Sequence, residues 1–207
     1  MKKLQITIVV ILFVFSQDVF SQEIGILGSK SWTNNQELDN PFGFGLYLSQ
    51  PLFQKLDVRV EFRRCTNQRK YLGKTYIDTL GYSITEIIKS NSYMNSIELS
   101  FIYSILKFYS FNLKIGPGIS ANTLDADKKG KETGRSIGVL GVDKFGLSLL
   151  INLVTDEIAS VPLHMNFLYK RNYIGYIGPT RVATDIENPF KDFINISELQ
   201  IGLSYSF

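Results

Sequence analysis

The one histidine, His164, shares its setting with Arg59, Glu61, Glu98, Lys114 and Glu198, acidic and basic residues that recur at alternate positions along short segments. Imidazole titrates near neutrality and suits general acid–base work. Acyl hydrolysis by that route needs a hydroxyl within hydrogen-bond reach of the ring. Two places after His164, on the same side of an extended strand, stands Asn166, which is no nucleophile. The six residues are therefore expected to satisfy one another in a dry interior, where unpaired charge is expensive. No catalytic residue is assigned.

Two further motifs fail on their spacing. Gly73, Lys74 and Thr75 match the end of a phosphate-binding loop, but that loop needs a glycine five places before Gly73, where Gln68 stands. Asp125, Asp127 and Gly130 match the start of a calcium loop. Lys129 replaces its third oxygen ligand, Ser136 occupies the place of its bidentate glutamate, and Lys128, Lys129 and Lys131 oppose a cation. Neither a cofactor nor a metal is expected. The stretch Asn67 to Ser92 combines Arg69, Lys70 and Lys74 with Tyr71, Tyr76 and Tyr82, and it reads as an exposed loop suited to phosphate groups or a protein surface.

The elements that would position these residues are strands. Leu199, Ile201, Leu203, Tyr205 and Phe207 alternate with Glu198, Gln200, Gly202, Ser204 and Ser206. The same two-faced pattern appears in Ile97 to Ile105, Tyr109 to Asn122, Leu56 to Arg63, Val161 to Lys170, Phe145 to Leu153 and Phe42 to Ser49, and more weakly in Ile24 to Lys30. That makes eight strands. Connections alternate between short (Gln50 to Lys55, Leu106 to Phe108, Asp156 to Ser160) and long (Ser31 to Pro41, Asn67 to Ser92, Thr123 to Asp143, Asn172 to Ile194), as in transmembrane barrels with short periplasmic turns. Pro117 interrupts its strand and predicts a bulge over Gly116 to Gly118.

The chain has 207 residues, 13% aromatic, with a net charge of +3, too weak to imply nucleic acid. Lys2 and Lys3 precede an apolar run, Ile6 to Phe15, too short to span a bilayer. Residues 1–21 read as a signal peptide cleaved after Ser21, or after Gln22, with one domain over 22–207. Cys65 is the lone cysteine, so no internal disulfide forms. A soluble ligand-binding barrel would invert the faces and carry more Lys and Glu outside. Here the polar face is small, and Phe42, Tyr109, Phe145, Tyr169 and Phe207 suit interfacial girdles. The expected fold is all-β: an eight-stranded antiparallel up-and-down transmembrane β-barrel after a cleaved leader, with both termini periplasmic.

On these residues the chain resembles the outer membrane protein beta-barrel domain family of Gram-negative bacteria, over essentially all of 22–207. Leu203, Tyr205 and Phe207 are similar to the terminal aromatic signal read by the barrel-assembly machinery. The resemblance implies an outer-membrane location, lipid and lipopolysaccharide as neighbours, and contact with an envelope protein. A non-enzymatic barrel is expected, with a side-chain-filled lumen and binding loops; a narrow porin-like channel and a lipid-A-modifying enzyme are the alternatives. In such enzymes a His and a Ser hydrolyse the acyl bond.

Overall fold

The computed structural model describes residues 22–76, 83–158, 161–175, 180–182, 190 and 193–207. The expected signal peptide lies outside these residues. The strands are β1 (Glu23–Thr33), β2 (Phe42–Phe53), β3 (Leu56–Tyr76), β4 (Ser83–Phe108), β5 (Phe111–Gly130), β6 (Ser136–Thr155), β7 (Leu163–Ile174), β8 (Thr180–Val182) and β9 (Ile194–Ser206). Eight of them form an antiparallel ring closed by β9 on β1, while the short β8 only extends the outer part of β6.

The register measures the tilt of the ring. Directly opposed residues run Glu23, Ser49, Arg59, Ser100, Gly118, Ser148, Asn172, Ile196 and back to β1 at Thr33, ten residues above the start. At ~3.3 Å per residue and ~4.8 Å between strands, that offset tilts the strands by roughly 40°, and eight strands at this tilt leave an interior that side chains fill.

The two faces separate as the alternation requires. Outside stand Ile26, Phe44, Leu46, Phe101, Ile119, Leu147 and Ile201, all exposed. A continuous apolar belt of this kind belongs against lipid. On β4 the belt runs from Ile97 to Ile105, and tilt reduces that length to roughly 20 Å, near the height of a barrel's lipid-facing band. Inside stand Arg59, Glu61, Glu98, Ser100, Lys170 and Glu198, all buried.

The first and last described residues meet at the end of the ring that bears the short turns, where the Gln22 N–H donates to the Phe207 carbonyl at 3.1 Å. Four features depart from the sequence reading. The stretches Asn67 to Ser92 and Thr123 to Asp143 are largely paired strand: β3 and β4 pair through Tyr76↔Ser83, and β5 and β6 through Lys129↔Ser136. Their alternation is masked because each face mixes polar and apolar residues, with inward Leu124 and Ala126 beside Glu86 and Ser90 and outward Leu72 and Ile87 beside Lys70 and Lys89, while Tyr71, Thr75, Ile84 and Ile87 favour extended backbone. Arg69, Lys70, Tyr71, Lys74 and Tyr76 therefore sit on a strand that rises above the ring, not on a loop.

Pro117 makes no bulge. It pairs with Leu149 on one side, and the register against β4 is the same at Ser100↔Gly118 and at Tyr103↔Ile115. Gly116 permits this, since a Cβ there would collide with the Phe101 carbonyl oxygen. The irregularity lies at Ser104/Leu106 instead. Consequently β4 continues to Phe108, and Tyr109 is a turn residue with φ 49° and 97% exposure rather than the first residue of a strand.

The fourth difference is in the lumen, which is not polar throughout. Toward the outer end, Leu38, Cys65, Met94, Leu124, Ala126, Val142, Ile174, Phe190, Ile194 and Ile196 form a buried apolar cluster.

Candidate functional site

The lumen network assembles from five strands, β3, β4, β6, β7 and β9. Glu61 and Glu98 are directly opposed on β3 and β4. Two carboxylates so placed repel unless a cation joins them. Lys170 reaches across from β7, its Nζ 2.8 Å from Glu61 Oε1 and 3.1 Å from Glu98 Oε2. Arg59 bonds Glu61 at 3.0 Å, and Arg63 pairs with Glu198 of β9 and lies 3.6 Å from Glu61. Ser100 and Ser148 hydroxyls each donate to Glu98 at 2.9 Å, and the Gln200 amide donates to Glu61 and Glu198. These three cations and three carboxylates cancel, and each is almost fully buried.

The structure thus brings together Arg59, Glu61, Glu98 and Glu198, but places two of the expected partners elsewhere. Lys114 pairs with Asp57 at 2.6 Å nearer the short turns, beside a small polar cavity with room for about one water molecule, lined also by Glu23, Tyr47 and Arg59. There the Tyr47 hydroxyl donates to Glu23 at 2.7 Å, and the Arg59 guanidinium stacks 3.7 Å above its ring. His164 has the inward parity but lies at the rim, with Nδ1 2.9 Å from the Thr155 carbonyl oxygen. Ser204 stands opposite it in the register, yet the Ser204 hydroxyl is buried and accepts from the Asn166 amide at 2.9 Å. Arg63, Lys170 and Gln200, which the sequence reading left out of the set, were visible only as members of the polar face.

Above the network the apolar cluster closes the outer mouth. A 3-10 turn, Gln36–Leu38, folds inward and buries Leu38. Asn35 caps it, accepting from the N–H groups of Glu37 and Leu38. Glu37 then clips the turn to the wall, bound by Lys128 Nζ at 2.6 Å and the Ser90 hydroxyl at 2.9 Å. Arg69 and Asn67 donate to the carbonyls of Gln36 and Glu37. Arg69 is thus committed to holding the turn, whereas Lys70 and Lys74 point outward and are exposed.

Higher still, the Glu86 carboxylate is wrapped by the β5–β6 turn. It accepts from the Glu132 and Thr133 N–H groups at 2.6 and 3.1 Å and from the Thr133 hydroxyl at 2.7 Å. The neighbouring Thr75 hydroxyl, with these donors, holds its pKa down at about 2.

At the outer edge of the apolar belt, cations rest on aromatic rings: Lys30 on Phe42 at 3.7 Å, Arg64 on Tyr93 at 5.1 Å and Arg171 on Tyr173 at 5.4 Å. The three cations come from β1, β3 and β7. Long basic side chains beside such rings suit the level of lipid headgroups.

No family model matches the sequence, and no curated protein does. Solved structures do. OprG from Pseudomonas aeruginosa, an outer membrane protein, superposes with a TM-score of 0.56 at 14% identity, covering 91% of this chain and 96% of that one. Neisserial surface protein A gives 0.54 at 18% identity, over 91% and 97%. Ail, the attachment invasion locus protein of Yersinia pestis, gives 0.53 at 13% identity in its complex with the heparin analogue sucrose octasulfate, over 92% and 100%.

Proposed function

We propose that this chain, which has the fold of small outer-membrane β-barrels, is a non-enzymatic, solute-tight protein of the Gram-negative outer membrane whose outer surface binds a partner or stabilises the envelope. The observation that carries the reading is the double closure of the lumen, by a neutral ion network and then by an apolar cluster under a clipped turn. An ion would have to cross both layers, and neither offers it a continuous wet path.

Residues 1–21 serve as the export leader, and exposed Leu203 and Tyr205 of the last strand, with Phe207 just after it, present the assembly signal. Lys30, Arg64 and Arg171 meet the phosphates of lipopolysaccharide in the outer leaflet. The complex of Ail with a heparin analogue supports an outer-surface binding role for a barrel of this shape. Against an acyl-modifying role, the His164 ring is bonded to a main-chain carbonyl and the nearest opposed hydroxyl is sealed inside the wall.

Gentle detergent extraction of a tagged copy from its native outer membrane tests the reading. A stoichiometric protein partner, or recovery with bound lipopolysaccharide, is expected. Recovery in the soluble fraction, or a changed lipid A acylation pattern in a deletion strain, would overturn it.

A further inference from the structure

The outward face of the rising sheet carries a row of like charges. Lys70 of β3 is directly opposite Lys89 of β4, and Lys89 is directly opposite Lys129 of β5. All three are exposed. Opposed side chains on adjacent strands start about 4.5–5.5 Å apart, and like charges so placed destabilise a sheet. Inside the barrel the opposed pair Glu61 and Glu98 is neutralised by Lys170. Among the described residues the lysine row is answered only in part. Above the row of Thr66, Tyr93 and Asp125, the one carboxylate that the paired residues of β3, β4 and β5 carry on this face is Asp127, 3.3 Å from Lys129. Lys70 and Lys89 have no carboxylate partner among those residues.

Protection of a sheet edge does not explain the row. Lysines blunt exposed edges, and β3 is an edge here because β2 stops pairing with it at Thr66. Lys89 and Lys129, however, sit on interior strands, β4 between β3 and β5, and β5 between β4 and β6. The next positions add Lys74 on β3, with exposed Leu72 and Ile87 opposed beside the row as an apolar platform. Lys70 lies eight residues beyond Phe62, roughly 20 Å above that part of the belt once tilt is counted. That height is beyond the headgroup cations Lys30, Arg64 and Arg171.

We infer that Lys70, Lys89 and Lys129, supported by Lys74, form a binding site for an extended polyanionic sugar chain, whose successive sulfate or phosphate groups supply the counter-charges the sheet lacks. The height of the row assigns it to a free glycan approaching from the medium rather than to the membrane's own lipopolysaccharide. This deepens the outer-surface role proposed above and rests on it; its readout is the effect of the outer-face lysines on oligosaccharide binding, whereas that role is read from what co-purifies and from lipid A, so the two failures are told apart.

The test is calorimetric titration of a size-defined heparin oligosaccharide into the full mature protein in nanodiscs, with and without lipopolysaccharide. Folding of each variant is verified by its heat-dependent gel mobility. Lys70→Gln/Lys89→Gln is expected to weaken binding by about tenfold and to flatten its salt dependence. The charge-matched Lys55→Gln/Lys107→Gln, at the opposite end of the barrel, is expected to leave binding within about twofold of the parent. Absence of binding, equal affinity in the parent and Lys70→Gln/Lys89→Gln, or an equal loss in both double variants overturns the site. Binding that vanishes when lipopolysaccharide is present overturns the free-glycan assignment and gives the row to the membrane's own sugars.

Discussion

Lys170 illustrates what a single side chain does in this wall. Its ammonium is what allows Glu61 and Glu98 to face each other in a dry lumen. Lys170→Met leaves two opposed carboxylates without their bridge and is expected to cost about 3–5 kcal/mol of stability. Urea unfolding in vesicles measures it, and adding Glu98→Gln is expected to restore part of the loss; full stability of the single variant would show that the network does not hold the wall. Gly116 matters for the opposite reason, because it has nothing to contribute except space. Gly116→Ala forces β5 away from the Phe101 carbonyl, an overpacking cost of about 1–3 kcal/mol in the same assay. Alternation made Arg59, Glu61, Glu98 and Glu198 legible as inward residues. It left the Lys170 and Arg63 pairings hidden, because residues meeting across a lumen are chosen by the tilt of the ring, which appears only once all the registers are known.

The limits of legibility at the level of elements have one cause. A strand can be read where its faces differ, that is, where one side meets lipid and the other the lumen. Beyond the belt each face of β3, β4 and β5 mixes polar and apolar residues, so the paired stretches above Thr66 and Thr123 resemble loops. Pro117 misled in the other direction: it is accommodated by the close approach at Gly116, with no extra residue inserted. The rising hairpins need their own fastenings, and Glu86 is one. Because its folded pKa of about 2 lies below the ordinary 4.5, the stability it adds is fully present above about pH 4.5 and is lost as pH falls through 2. Hydrogen exchange of the Glu132 and Thr133 amides is therefore expected to stay slow from pH 7 to 5 once corrected for intrinsic rates. Glu86→Gln, which keeps the shape but loses the charge, is expected to speed their exchange at neutral pH and to remove the acid dependence. Protection unchanged in the variant would mean that the turn holds itself.

At the scale of the whole molecule, closure into eight strands was legible from the alternation of short and long connections, but the nature of the seal was not. Its apolar layer draws on Leu38 and Phe190, from connections between strands, together with inward residues such as Met94 and Val142 near the top of the ring. No periodicity links residues brought together by a loop folding inward. The two layers exclude ions by different means. The lower one occupies the path with charges that are already paired, and the upper one fills it with apolar side chains that cannot replace a hydration shell. Removing one layer should therefore leave the barrel closed. Glu61→Ala/Lys170→Ala, which keeps the network close to neutral, is expected to give no steady conductance in planar bilayers, and neither is Leu38→Ala/Phe190→Ala. Combining all four substitutions is expected to produce discrete conductance steps in a barrel that still shows heat-dependent mobility. A parent protein that conducts steadily would make the chain a narrow channel, and conductance from either pair alone would identify that layer as the whole of the seal.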